Sequence, residues 1–124
     1  MPEPQDVEIK PVVWIGTSRQ DLRKLPGDVQ NVFGYALYLA QSGKKHPSAK
    51  PLKGFGGASV LEVVEDYRGD TYRAVYTVKF AEAVYVLHVF RKKATHGIAT
   101  PRREIELIGE RLKRALEFHG VWKR

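Results

Sequence analysis

Three β-type runs separated by very short connections place the strongest constraint on how this chain folds. The runs are residues 59–67, 71–80 and 84–90, and the connections between them are residues 68–70 and 81–83. Connections of this length join antiparallel strands, because a parallel pair needs a crossover of about a dozen residues or more. The sequence therefore predicts an antiparallel meander in the second half of the chain.

Arg73 interrupts the middle run of this meander. Residues 71–80 alternate between two faces, and the aromatic side chains lie on the face opposite to Arg73. Residues 84–90 are apolar on both sides, which is typical of a strand in the middle of a sheet. Burial of an unpaired charge is costly, so a charge on a sheet face must be exposed, paired or useful. Arg73 therefore either pairs with Glu62 or Glu65 of the neighbouring run, or it serves a function.

Helical patterns precede and follow the meander. Residues 28–42 carry apolar side chains at helical spacing, after a short strand at 12–15 and a short helix. A final helix is predicted to begin with Thr100 as its cap and Pro101 in its first turn. The order β-α-α-β-β-β-α predicts an α+β fold, with helices packed on one face of a small twisted antiparallel sheet. Arg73 would then line the other, partly open face.

One domain with two flanking segments is expected from 124 residues. Residues 1–11 are interpreted as a flexible lead-in without the apolar segment of a signal peptide, 12–118 as the domain, and 119–124 as a tail that contains a break at Gly120. No apolar run approaches the roughly 18–20 residues of a membrane helix. The chain has no cysteine, which excludes disulfides and thiolate metal sites and is compatible with the cytoplasmic location that we expect.

The chain is basic, with a formal net charge of +7. Small basic domains often bind nucleic acid, because phosphates attract Lys and Arg and release counterions on binding, although many basic proteins bind none. The cations around the predicted sheet lie in the loop 43–57, in the hairpin turn, and along or just after the last two strands: Lys44, Lys45, Lys50, Lys53, Arg68, Arg73, Arg91, Lys92 and Lys93. They predict a cationic cleft; the alternative for the lysines at the strand end is a solvated rim.

Familiar catalytic and metal-binding motifs are absent. The sequence lacks the motifs of serine hydrolases, zinc peptidases, P-loop proteins and dinucleotide-binding proteins, and the spacing of its four histidines fits no metal motif. We therefore expect no metal and no cofactor. His88 is interpreted as a hydrogen-bonded histidine of the sheet rather than a catalyst, and His96 as a solvated loop residue beside the lysines that is able to act.

RNA can be cut without a metal when its own 2′-OH attacks the adjacent phosphate. This reaction needs a base for the hydroxyl proton, an acid for the leaving oxygen, and cations for the charge that develops on the phosphate. Arg73 suits the last role, because a guanidinium matches two phosphate oxygens and stays charged. Four tyrosines are candidates for stacking on a base: Tyr67, Tyr72, Tyr76 and Tyr85. This pattern argues for phosphate binding and does not by itself argue for cleavage.

Four motifs in a fixed order resemble the HigB-like branch of the RelE toxin superfamily. They are Leu52-Lys53-Gly54, Tyr72-Arg73-x-x-Tyr76, Leu87-x-x-Phe90-x-Lys92-Lys93 and Thr100-Pro101, within a resemblance that runs from about Val12 to Leu116. The resemblance implies a RelE-like fold and the toxin of a type II toxin–antitoxin system. It implies metal-independent cleavage of mRNA, usually on the ribosome. It also implies a cognate antitoxin, often a helix-turn-helix protein, and no membrane partner.

The resemblance also implies roles for individual residues. Arg73 matches the strand arginine that grips the scissile phosphate, and Glu62 matches the acidic position of a Glu-Leu-Arg motif whose arginine is Val64 here. Arg68 is expected to replace that missing charge. The predicted catalytic residues are Arg73, Lys92, Lys93, Arg68 and Glu62, and the predicted RNA-binding residues are Lys53, Arg91, His96, Lys50 and Lys45. The general base stays open among Glu62, Lys53 and His96.

Two other classes of function remain open from the sequence. In the first, the chain is a non-catalytic module that binds RNA or acts only as the partner of the antitoxin. In the second, it is a structural or accessory protein of a phage. Growth arrest with cleaved mRNA on expression of the chain alone indicates the enzyme. Harmless expression with retained affinity for RNA indicates the binding module, and neither effect is expected of a phage structural protein.

Overall fold

A computed structural model describes residues 9–92 and 99–122 of the protein. Its elements in chain order are β1 (Val12–Trp14), α1 (Ser18–Arg23), α2 (Gly27–Gln41), β2 (Ala49–Pro51), β3 (Val60–Tyr67), β4 (Asp70–Thr77), β5 (Val84–Lys92) and α3 (Arg102–Trp122). The strands form one five-stranded sheet in the order β1-β5-β4-β3-β2. Every helix in the described ranges is too short or too polar to cross a membrane.

The predicted α+β class and succession of elements are confirmed, with two differences in the sheet. β2 is a three-residue strand inside the predicted loop 43–57, and its Lys50 lies opposite Glu62 of β3. β1 pairs with β5 in parallel, so the sheet is mixed rather than antiparallel. The long chain segment between β1 and β5, which contains α1 and α2, provides the crossover that a parallel pair requires.

The helices cover both faces of the sheet, which corrects the prediction that they share one face. One apolar cluster joins Phe33 of α2 to Ala74 of β4, and a second joins Ile108 of α3 to Val75 of β4. Successive residues of a strand point to opposite faces, so the two clusters lie on opposite sides of the sheet. We call these the α1–α2 face and the α3 face. The physical reason is that β5 is apolar on both sides and therefore needs cover on both.

A β-bulge in β5 turns the end of this strand. Val75 lies opposite His88, whereas the next residue, Tyr76, lies opposite Val86. Leu87 is therefore the extra residue, and such an insertion re-aims the side chains that follow it. His88 consequently faces α3, where it contacts two helix side chains.

The turn between β3 and β4 is tighter than predicted. It consists of Arg68 and Gly69, whose φ angles are 50° and 87°, and the flanking Tyr67 and Asp70 already pair across the two strands. Positive φ at both central positions gives a turn whose twist matches that of the strands. Arg68 is thereby fixed at the tip of the hairpin, with its guanidinium carbon 5.2 Å from the ring centre of Tyr67.

Both ends of α3 differ from the prediction. The helix begins at Arg102, and the carbonyl of Pro101, not the hydroxyl of Thr100, accepts hydrogen bonds from the first free N–H groups. The helix also continues through the predicted tail to Trp122. His119 explains this extension, because its buried ring is hydrogen-bonded on both nitrogens and holds the last turn against the sheet. The domain bounds 12–118 stay a prediction.

Candidate active site

Arg73 is almost completely enclosed on the α3 face, with 3% of its surface exposed. It lies in β4 between Val64 of β3 and Phe90 of β5. Its Nη1 atom donates to both carboxylate oxygens of Glu62, at 3.2 and 3.3 Å. An enclosed guanidinium needs such a partner, because removing the charge from water is costly. The pairing alternative for Arg73 is therefore present in the structure, and the prediction that Arg73 lines an open face is wrong.

Thr100 joins this pair from the segment that leads into α3. Its hydroxyl donates to Oε2 of Glu62 at 2.6 Å and accepts from Nη1 of Arg73 at 3.0 Å. A hydroxyl that donates to an ionised carboxylate forms a short and strong hydrogen bond. This bond explains why the Thr100 hydroxyl does not cap the helix. We call Arg73, Glu62 and Thr100 the Arg73 cluster.

Lys92 lies close to the Arg73 cluster on the same face. It is two residues beyond Phe90, which is the partner of Arg73 across the strands, so Lys92 and Phe90 point to the same side. The Lys92 ammonium donates to the carbonyl oxygen of Ala99 at 2.9 Å. The segment before α3 therefore contacts both predicted cations, at Lys92 through Ala99 and at Arg73 through Thr100.

A shallow groove borders the Arg73 cluster on the side of β2. It is lined by Pro47, Ser48, Lys50, Glu62 and Val64. The exposed Lys50 stands opposite Glu62 in the pairing of β2 with β3. The Glu62 side chain is 12% exposed, so it connects the open groove with the enclosed Arg73. Of the predicted RNA-binding residues that the structure describes, Lys50 is the one that strand pairing brings next to the cluster.

Several predicted site residues lie elsewhere. Arg68 is at the hairpin tip, and Arg91 faces the other side of the sheet, where its Nη1 is 3.5 Å from a carboxylate oxygen of Asp70. Lys45 lines a separate groove with Leu61, a residue of the cluster on the α1–α2 face. The predicted continuous cationic cleft is therefore divided between different surfaces of the molecule.

The three candidates for the general base have different positions. Glu62 contacts Arg73 directly, whereas Lys53 is exposed in the turn that follows β2. His96 lies outside the described residues, as does the predicted catalytic Lys93. Of the two described candidates, Glu62 is the one placed beside the cation that would hold a phosphate.

Most of the tyrosines that were candidates for stacking on a base are in the core. Three of them are buried: Tyr72, Tyr76 and Tyr85. Burial raises the pKa of Tyr76 to about 12, so this side chain is a neutral phenol inside the protein. The half-buried Tyr67 is the remaining candidate, and it packs under Arg68 at the hairpin tip. The stacking prediction is therefore wrong for the three buried side chains.

Sequence reasoning missed a second polar cluster, beside the first. Nε2 of His88 is 2.9 Å from Oε1 of Glu104, and Nδ1 of His88 is 3.3 Å from Nη1 of Arg111. Arginine only donates hydrogen bonds, so Nδ1 is the acceptor and the proton on Nε2 is donated to Glu104. Arg111 also donates to the carbonyl of the bulged Leu87 at 3.0 Å. We call His88, Glu104 and Arg111 the His88 cluster.

Burial favours the neutral form of His88, whose cluster adjoins the Arg73 cluster. Burial lowers the pKa of His88, and the hydrogen bond and charge of Glu104 offset part of this effect. The His88 ring stacks on Phe90, with the ring centres 4.6 Å apart, and Phe90 is the cross-strand neighbour of Arg73. The interpretation of His88 as a hydrogen-bonded sheet histidine agrees with these contacts.

Arg111 carried a signal that sequence reasoning did not use. It follows Ile108 by three residues and precedes Ala115 by four, so it lies on the buried side of the helix. The structure makes room for its guanidinium at Gly16, where a Cβ atom would be 2.8 Å from the Arg111 Cζ. A charged residue at the centre of an apolar helical stripe therefore indicated a buried polar cluster.

The sequence matches one family model across most of the chain. Residues 20–113 match the family described as phage derived protein Gp49-like (DUF891), and this range includes both polar clusters. The chain belongs to this Gp49-like family. The family is one of RelE/HigB-type toxins, so the resemblance inferred from the four motifs is confirmed. No curated protein matches the Gp49-like chain.

Solved structures of RelE proteins are similar to this Gp49-like protein. A mutant of the E. coli toxin RelE in the free state is 20% identical, covers 86% of this chain and 97% of its own, and superposes with a TM-score of 0.53. A chain in the structure of the toxin–antitoxin complex RelBE2 from Mycobacterium tuberculosis is 24% identical. The match covers 73% of this protein and 98% of the RelBE2 chain, with a TM-score of 0.46. At such identities, the likeness to the E. coli protein establishes a RelE-like fold alone.

Proposed function

We propose that this Gp49-like protein is the toxin of a type II toxin–antitoxin system and cleaves mRNA without a metal ion. The observation that carries the proposal is the Arg73 cluster. It holds a guanidinium and a carboxylate in contact, with Lys92 on the same face. Such a set supplies a cation for a phosphate, an acceptor for a proton and a second cation for the leaving group. Membership in the Gp49-like family supports the toxin role.

In the proposed reaction, Arg73 binds the scissile phosphate through its planar, permanently charged guanidinium. Glu62 accepts the proton of the 2′-OH as the O2′–P bond forms, and the P–O5′ bond breaks. The products are a 2′,3′-cyclic phosphate and a 5′-OH end. Lys92, with Lys93 after it in the sequence, neutralises the backbone or protonates the leaving oxygen. Lys50 at the groove binds a neighbouring phosphate, and Arg68 and Lys53 contribute positive charge at greater distance.

The proposal includes the setting in which the protein acts. The substrate is mRNA, bound on the ribosome, and the protein works in the cytoplasm. A cognate helix-turn-helix antitoxin neutralises it. Family membership and the formal net charge of +7 support these partners, since a basic surface favours both RNA and an acidic partner segment.

The decisive experiment is expression of Arg73→Ala and Arg73→Lys in bacteria without an antitoxin. Both variants are expected to lose growth arrest and the 5′-OH ends in mRNA, because lysine keeps the charge but loses the two-pronged contact. Arg23→Ala removes the same charge from an exposed position on α1 and is expected to stay toxic. Circular dichroism checks that each variant is folded. A folded Arg73→Lys or Arg73→Ala protein with full toxicity contradicts the proposed role of Arg73.

The enclosure of Arg73 favours a second candidate, a non-catalytic module that binds RNA or only the antitoxin. An arginine with 3% of its surface exposed and a carboxylate partner also serves as a purely structural pair. In that case, expression of the wild-type chain alone leaves growth and mRNA unchanged. Retained binding of the purified protein to RNA then identifies the binding module.

A further inference from the structure

The Arg73 cluster has the geometry of an anion site that is already occupied. Nη1 of Arg73 faces both carboxylate oxygens of Glu62, at 3.2 and 3.3 Å, and the Thr100 hydroxyl at 3.0 Å. Carboxylates and phosphates present similar pairs of oxygens to a guanidinium. Glu62 thus occupies on Arg73 the kind of position that a phosphodiester would take.

We propose that Glu62 and Thr100 form an internal clasp that closes the site until a phosphodiester replaces the carboxylate on Arg73. This inference rests on the proposed function and adds a regulatory step to the same site. Arg73 has 3% of its surface exposed, so a phosphate reaches it only after the clasp opens. The exchange keeps the charge balance, since one singly charged anion replaces another beside the guanidinium.

The clasp is positioned by contacts on both sides of Thr100. On one side, the Lys92 ammonium holds the carbonyl of Ala99 at 2.9 Å. On the other side, Glu104 in the first turn of α3 is 2.9 Å from Nε2 of His88. Both partners belong to β5, so the segment that carries the hydroxyl is fixed to the strand beside Arg73. Thr100 is therefore a positioning residue, which acts through Glu62.

Opening the clasp has a consequence for proton transfer. In the closed cluster, three hydrogen bonds hold the Glu62 carboxylate toward Arg73 and Thr100, so it is not oriented toward the 2′-OH of a substrate. The released carboxylate turns toward the groove, where Lys50 lies directly across the strand pair and offers a new cationic partner. The arriving phosphate thus both binds Arg73 and frees the base that acts on its own ribose.

The test measures binding of a phosphodiester that cannot be cleaved. Single-stranded DNA lacks the 2′-OH, and its affinity for the purified full chain is measured by fluorescence anisotropy at fixed salt. Thr100→Val removes the hydroxyl at nearly constant shape and is expected to bind roughly 5-fold more tightly, the factor that corresponds to the loss of the hydrogen bond from Thr100 to Glu62. Thr100→Ser, which keeps the hydroxyl, is the matched control and is expected to bind like the wild type.

Glu62→Gln provides a second variant of the same clasp. It removes the anion from Arg73 and is expected to bind DNA more tightly while losing RNA cleavage, which separates binding from proton transfer. Unchanged or weaker DNA binding by Thr100→Val and Glu62→Gln overturns the clasp. The proposed function is tested by a separate measurement, the toxicity of the Arg73 variants, whose outcome does not depend on the DNA affinity of the Thr100 variants. If Thr100→Val does not fold, the Glu62→Gln affinity alone decides.

Discussion

The two faces of the sheet are built from different chemistry. On the α1–α2 face, Phe33 of α2 is fully buried among aliphatic and aromatic neighbours from the helix and the strands. The α3 face also has an apolar cluster, but it is there that the described chain buries its arginine and histidine side chains: Arg73, His88, Arg111 and His119. Each of these four makes hydrogen bonds with other side chains on that face.

The two faces therefore differ in the kind of interaction that holds their helices on the sheet. Apolar contact is not directional, so the attachment of α2 to the sheet depends mainly on the burial and fit of its apolar side chains. Hydrogen-bonded clusters in an enclosed site fix distances and are costly when they are only partly satisfied. The contacts of Arg111 and Glu104 hold α3 against β5, and Thr100, just before this helix, contacts Glu62. The α3 face, which carries the candidate site, is thus held together by hydrogen bonds between buried charged and polar side chains in addition to apolar contacts.

The largest effect is expected from opening a cavity on the α1–α2 face. Phe33→Ala removes a fully buried aromatic side chain and should lower the free energy of unfolding by about 3–5 kcal/mol. Urea denaturation followed by circular dichroism measures this change. Tyr35→Ala, on the same helix with 55% of the tyrosine exposed, should change stability by no more than about 0.5 kcal/mol. Similar losses for the two variants would contradict a face stabilised by packing.

An intermediate effect is expected from pH on the α3 face. Burial lowers the pKa of His88 in the folded protein, whereas the unfolded chain has the ordinary value of about 6.5. Between these two pKa values the unfolded state binds more protons than the folded state. The contribution of His88 to the free energy of unfolding is therefore complete above about pH 6.5 and is lost as the pH falls through the folded pKa. For a single proton the loss is at most about 1.4 kcal/mol per pH unit. The groups facing the ring are Glu104, Arg111 and Asp21.

His88→Asn isolates this titration from those of other groups. The difference in unfolding free energy between the wild type and the variant, measured from pH 7.5 to pH 5, should shrink as the pH falls, because asparagine does not titrate. The half-buried His46 and the buried His119 are present in both proteins and cancel in the difference. Parallel pH profiles of the two proteins would show that His88 is not held neutral by the fold.

Local patterns were sufficient to predict the three strands of the meander but neither β2 nor the enclosed site. The alternation in residues 71–80 identified β4 because side-chain period is a property of neighbouring residues. The clasp depends instead on Thr100 and Glu62, which are 38 residues apart and meet only because α3 lies on the second face. The β-bulge at Leu87, after which His88 faces α3, leaves no local pattern.

One error of assignment was avoidable from the sequence. Arg91 and Lys92 are consecutive residues of the same strand, so they necessarily point to opposite faces. Grouping both with Arg73 in one cleft contradicts that rule, and the structure places Arg91 beside Asp70, away from Arg73. For Arg111, in contrast, the sequence contained a signal that was not used. Its spacing along the helix already placed a charge among buried positions.

The smallest effect is expected from the ion pair of Arg91 with Asp70. The two side chains are 49% and 32% exposed and approach to 3.5 Å, so solvent screens most of their attraction. A double-mutant cycle with Arg91→Ala and Asp70→Ala should give a coupling energy below about 0.5 kcal/mol, reduced further by salt. A coupling above about 1 kcal/mol would mean that charge pairs on the α1–α2 side are also held in fixed geometry. The contrast between the two faces would then lie in solvent exposure, and directional bonding would no longer distinguish the α3 face.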